Sequence, residues 1–172
     1  MEILDLLKDI VIDELGQLKD KISANLTAKV INASGRLEAS LEIQQTDDGG
    51  ELLGNPYIYY TEHGRGPGKV PFQFTDTVKQ WAIDKHLNIT PIEYVRRESE
   101  KWKPKYTPQE RGYNAFAGAV AYKIRTEGTK TYRDGGRTDI YTDDVETAIE
   151  KIKDRVELEL NEFIINDLNK FL

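Results

Sequence analysis

The residues most able to do chemistry lie between Glu62 and Lys69, in the run Glu62-His63-Gly64-Arg65-Gly66-Pro67-Gly68-Lys69. Glycines let backbone N–H groups converge on an anion, and Arg65 and Lys69 would add positive charge, so a phosphate cradle is the first reading to test. The spacing fails it. A Walker loop needs four residues between its first glycine and Gly-Lys, then Ser or Thr; here three intervene between Gly64 and Gly68, and Val70 follows Lys69. The dinucleotide pattern GxGxxG is also unmet, so no cofactor is expected.

His63 with Glu62 could supply a general base or a metal ligand. The chain has only two histidines, the other being His86, and no HExxH-type cluster. A metal-dependent hydrolase at His63 is therefore the weakest of the three functional readings. The paired acids Asp47-Asp48 and Asp143-Asp144 fall in turn and helix-start contexts, where carboxylates are favoured for capping. No cysteine is present, which removes disulfides, a thiol nucleophile and thiolate metal sites. The sequence assigns no catalytic, cofactor or metal residue and predicts a non-enzyme.

The elements around this run follow from periodicity. Leu4, Leu7, Val11, Leu15, Leu18, Ile22 and Leu26 recur at three and four, predicting a long amphipathic helix. Leu37, Ala39, Leu41 and Ile43 alternate with polar residues, predicting a strand, and Thr46-Asp47-Asp48-Gly49-Gly50 supplies a turn. Tyr57-Ile58-Tyr59-Tyr60-Thr61, aromatic and β-branched, reads as a second strand. The Gly64–Lys69 run reads as an exposed loop.

Three short helices are expected next. One spans about 75–86 with Val78, Trp81 and Ala82 inward; two more open at Thr90-Pro91-Ile92-Glu93 and Thr107-Pro108-Gln109-Glu110, each a Thr cap, a proline and a glutamate at the third position. The last carries Ala115, Phe116, Ala119, Val120 and Ile124 inward and stops at Gly128. Residues 129–137 read as a mobile loop and Ile140-Tyr141 as a short strand. A capping box of Asp143 and Glu146 opens a closing helix whose inward line is Val145, Ile149, Ile152, Val156, Leu160, Phe163, Ile164, Leu168 and Phe171. The plan is α+β, one domain over 1–172, with a small antiparallel sheet packed against long N- and C-terminal helices and short helices between.

With 38% hydrophobic and 31% charged residues the chain is a normal globular mixture. Its start, Met1-Glu2-Ile3-Leu4-Asp5, lacks the basic, then apolar, pattern of a signal peptide, and no run approaches the roughly 18 apolar residues of a membrane span. An aqueous compartment is expected. The net charge of −6 hides an asymmetry: residues 101–137 hold nine Lys/Arg against three acids, and residues 138–172 hold four against ten. Opposite charge blocks suit stacking of copies. The basic block, with Lys101-Trp102-Lys103-Pro104-Lys105-Tyr106, also supports an alternative, a nucleic-acid-binding or nuclease module.

The order of features resembles a known family. A long N-terminal helix, Ser34-Gly35-Arg36-Leu37-Glu38-Ala39-Ser40, then Tyr57-Ile58-Tyr59-Tyr60-Thr61-Glu62-His63-Gly64, then an Ala-rich segment ending Ile124-Arg125-Thr126-Glu127-Gly128-Thr129-Lys130, is similar to the minor tail, tail-completion or neck proteins of long-tailed phages. Residues 18–75 and 112–165 carry the match. The connection 86–111 is longer than the family's, and Tyr132-Arg133-Asp134 stands where relatives have a proline–phenylalanine segment.

The resemblance implies a structural virion protein, a subunit of a ring, sixfold in the family. It would join the head connector to the tail or complete the tail end, in the neck or tail of the virion after assembly in the host cytoplasm. Its partners would be copies of itself and other connector and tail proteins, with non-specific contact to DNA in the neck channel and none to membrane. Tyr59, Tyr60, Glu62, His63, Gly64, Arg65, Gly66, Gly68 and Lys69 would form the contact surface.

Overall fold

The computed structural model describes residues 3–29, 34–47, 49–95 and 104–170. The architecture is α+β, with one two-stranded antiparallel sheet among the described residues, long helices toward both ends and shorter helices between. Residues group into two compact units, Met1–Glu62 with Arg137–Leu172, and His63–Gly136. The second is thus inserted into the first in sequence.

In the discontinuous unit, α1 (Ile3–Ala28) buries Ile10, Glu14, Leu18, Ile22 and Leu26, one residue every fourth position. Strands β1 (Glu42–Thr46) and β2 (Gly49–Leu53) pair antiparallel from Glu42↔Leu53 to Thr46↔Gly49. This sheet lies on α1: a Cβ added at Gly50 would stand 2.5 Å from the Ile12 Cδ1 methyl, so a larger residue there would displace the Ile12 side chain.

The last helix, α6 (Thr142–Leu168), runs antiparallel to α1, since Arg155 reaches Glu14 while Asp144 accepts from Asn25. Leu18, Ile22, Leu26, Leu41, Ile140 and Ala148 form the core. Each large member contributes roughly 1.5–3 kcal/mol on burial.

In the inserted unit, α3 (Phe74–Asp84) packs on α4 (Pro108–Glu127). The α4 start is the reciprocal cap read in the sequence. Glu110 N–H donates to Thr107 Oγ1 at 3.2 Å, and Thr107 N–H donates to the Glu110 carboxylate at 2.8 Å. Gly128, at φ +80°, ends the helix as expected. Close packing is made by small residues: Gly112, Ala117 and Ala121 are buried, and a Cβ at Gly112 would meet Thr90 O at 2.5 Å.

Several expected elements differ. The 37–43 strand starts only at Glu42, because Glu38–Ser40 forms a 3₁₀ turn closed by Leu41 N–H to Glu38 O. Tyr57–Thr61 is not a strand but lies at and within α2 (Ile58–His63), whose first turn is set by Tyr57 N–H donating to Asn55 Oδ1. Residues 91–95 are non-helical, and 96–103, with Lys101, Trp102 and Lys103, fall outside the described residues. On α4, Ala115 and Ala119 are exposed and Phe116, Val120 and Ile124 half-buried, the buried line being rotated to the small residues.

The segment 129–137 holds a helical turn, α5 (Lys130–Arg133), capped by the Thr129 hydroxyl. Ile140-Tyr141 is a turn, with Ile140 fully buried. The α6 N-cap is Tyr141 with no side-chain cap of its own, not an Asp143–Glu146 box. Trp81 on α3 and Ile149, Leu160, Phe163, Ile164 and Leu168 on α6 are exposed instead of inward, and so is Leu4 on α1.

Candidate functional site

The structure divides the nine expected contact residues by role. In the discontinuous unit α2 places Tyr59 and Tyr60 at the surface, 52% and 48% exposed, with rings edge-to-face at 5.6 Å. Glu62 points the other way and is fully buried. Its Oε1 accepts the backbone N–H groups of Ile140, Tyr141 and Thr142 at 2.9, 2.6 and 3.1 Å, and its Oε2 accepts the Thr142 hydroxyl at 2.6 Å. Glu62 therefore caps α6 from a distant point in the chain. Its carbonyl accepts from Arg137 N–H at 2.9 Å, so the two points where the chain enters and leaves this unit are bonded together.

The electrostatics follow from those donors. Burial pushes the Glu62 carboxyl up, but the Thr142 hydroxyl and the three N–H groups outweigh it and hold the group below the ordinary glutamate value. A general base working near neutrality needs the opposite shift and a free lone pair. Beside it Arg137 grips Asp139 with two bonds of 2.6 and 3.0 Å, and Lys29 meets the same carboxylate at 2.5 Å. Arg137 first and Lys29 second hold Asp139 well below the usual carboxylate range. Burial, with the Glu62 charge behind it, raises the Tyr141 phenol.

In the inserted unit, the run from His63 to Lys69 is fastened by its own backbone. Arg65 N–H donates to Thr129 Oγ1 at 2.8 Å, Thr129 N–H donates to Arg65 O at 2.8 Å, and Gly68 N–H donates to Arg125 O at 2.9 Å. Gly64 sits at φ +67°, where an added Cβ would be 2.3 Å from Tyr132 N. Gly66 lies against the Tyr132 ring. The Arg65 guanidinium donates to Lys69 O at 2.9 Å and lies 5.3 Å from the centre of the Phe74 ring. The N–H groups of residues 65 and 68 are therefore committed inside the protein and do not converge on a phosphate.

The expected open loop is correspondingly tighter than its glycine content implies. Gly64 is buried and Arg65 and Gly66 half-buried, leaving His63, Pro67, Gly68 and Lys69 outside. Just beyond, Phe72 is 98% exposed, which hydropathy alone does not foretell.

Among the described residues no group of three or more His, Asp or Glu is placed to hold a metal. A cleft lined by Asp5, Lys8, Asp9 and Gln45 has room of about 130 Å³, below the roughly 300 Å³ at which small-molecule sites begin. No described helix is long and apolar enough to cross a membrane. No family model, curated protein or solved structure matches the chain.

Proposed function

We propose that the chain is a structural virion protein, a ring-forming subunit that joins the head connector to the tail or completes the tail end. The observation that carries the proposal is uncovered apolar surface on a rigid element. The second half of α6 presents Leu160, Phe163, Ile164 and Leu168 at 37–60% exposure, along the line begun by half-buried Ile152 and Val156. A helix keeps such a stripe where another surface covers it. The Tyr57, Tyr59 and Tyr60 side chains add exposed aromatic area of the kind enriched at protein interfaces. The order of motifs shared with phage tail-completion and neck proteins supplies the setting.

The test is genetic and structural together. In a phage encoding the chain, loss of its gene leaves filled heads and tails unjoined, or tails with a defective end, in electron micrographs. Complete, joined particles lacking the chain would overturn the proposal.

A second reading, DNA binding through the basic region 101–137, has the inserted unit's charge in its favour. It predicts affinity for duplex DNA that falls steeply as salt rises. Salt-independent or negligible binding removes it.

A further inference from the structure

We infer that Phe72 of one copy seats on the α6 stripe of a second copy, a head-to-tail contact between unlike surfaces. The inference rests on the assembly reading and makes its contact specific. Phe72 is the most exposed large apolar side chain among the described residues, at 98%. It stands on a turn closed by Phe74 N–H donating to Pro71 O at 3.0 Å. Phe74 is itself held beneath the Arg65 guanidinium. An aromatic side chain has few rotatable bonds to freeze on docking, which suits an interface anchor.

The receiving surface is apolar along Leu160, Ile164 and Leu168. At 100° per residue, exposed Glu157 falls on this same side of α6, one turn before Leu160, and exposed Glu150 and Glu146 follow on that side toward the start of the helix.

Charge selects the pairing. The inserted unit that carries Phe72 holds fourteen Lys/Arg against eight Asp/Glu, a net +6. The discontinuous unit that carries α6 holds ten against twenty-two, a net −12. Copies meeting by like units would set charges of one sign together; meeting unlike units, they attract. Exposed Lys69, three residues before Phe72, supplies a charge opposite to that of exposed Glu157 beside the stripe. Because anchor and stripe are on different units, every copy offers both, and the contact repeats into a ring or a chain of subunits.

The test uses sedimentation velocity of the full chain with two variants, Phe72→Asp and Ile164→Glu. Both positions are more than half exposed, so folding is retained, which circular dichroism melting verifies. Leu168→Glu replaces the second variant if it melts early. Wild-type chain is expected to self-associate, more weakly as salt rises. Each variant alone loses self-association at least tenfold. An equimolar mixture of the two variants regains one intact contact and stops at a heterodimer. Undiminished association of Phe72→Asp, or failure of the mixture to pair, overturns this inference and leaves the assembly reading standing. A wild-type chain monomeric at every concentration overturns both.

Discussion

Glu62 Oε1 stands 2.6 Å from the Tyr141 backbone nitrogen, 79 residues further along the chain, and this bond joins α2 to the start of α6. With the neighbouring N–H groups of Ile140 and Thr142 it replaces the side-chain cap that α6 lacks. Glu62→Ala leaves three N–H donors without their acceptor and is predicted to lower stability by about 3 kcal/mol. Glu62→Gln keeps one oxygen and loses the charge, with a cost of about 1–2 kcal/mol. Denaturant unfolding of both variants checks the order.

The same groups set an acid response. Glu62 and Asp139 have folded-state values below their ordinary ones, so at neutral pH each binds no proton and contributes its full stabilisation. As pH falls below about 4.5 the unfolded chain takes up protons first, and the stabilisation is lost as pH drops through the lowered folded values. Melting temperature is predicted to fall on acidification below that point. The fall is shallower in Glu62→Gln, which has no carboxylate to titrate; an equal slope in that variant would remove Glu62 from the account.

Two glycine substitutions in the inserted unit have predictable signs. Gly64→Ala combines a left-handed backbone with a Cβ 2.3 Å from Tyr132 N, and is expected to cost about 2–3 kcal/mol. Gly112→Ala would gain about 1 kcal/mol from helix propensity alone, yet its Cβ meets Thr90 O at 2.5 Å. A net loss of stability is predicted, read by thermal melting.

Arg155 donates to Asp13 at 2.5 Å and to Glu14 at 2.7 Å, and Glu14 is almost fully buried in the apolar line of α1. Arg155→Met, which strands a buried carboxylate, is predicted to lower the melting temperature. Glu14→Leu, which removes that carboxylate and continues the line of Ile10 and Leu18, should hold or raise it.

What was legible in the sequence was local. The α4 start was readable because Thr107, Pro108 and Glu110 complete their bonds within one turn, and Gly128 marked its end for the same reason. Tyr57–Thr61 was misread because its aromatic composition suits a strand. Its helix is started by Asn55 and secured by Glu62 through bonds that span 78 to 80 residues and fall within no local window.

The α6 periodicity located an apolar stripe correctly, but periodicity gives only a direction on a helix. It does not say whether the chain's own core or another molecule covers that side, and Leu160, Phe163, Ile164 and Leu168 proved exposed. Of the nine expected contact residues, Glu62 and Gly64 are buried and hold their neighbours in place, while no periodicity marks Phe72, whose exposure is set by the turn that carries it.

The central claim, a ring-forming structural subunit, is tested most directly by counting copies of this chain in purified virions by quantitative mass spectrometry. One closed ring predicts a fixed, small number of copies per particle, about six if it has the symmetry that the resemblance implies. Purified, infectious particles that contain none of it would contradict the account.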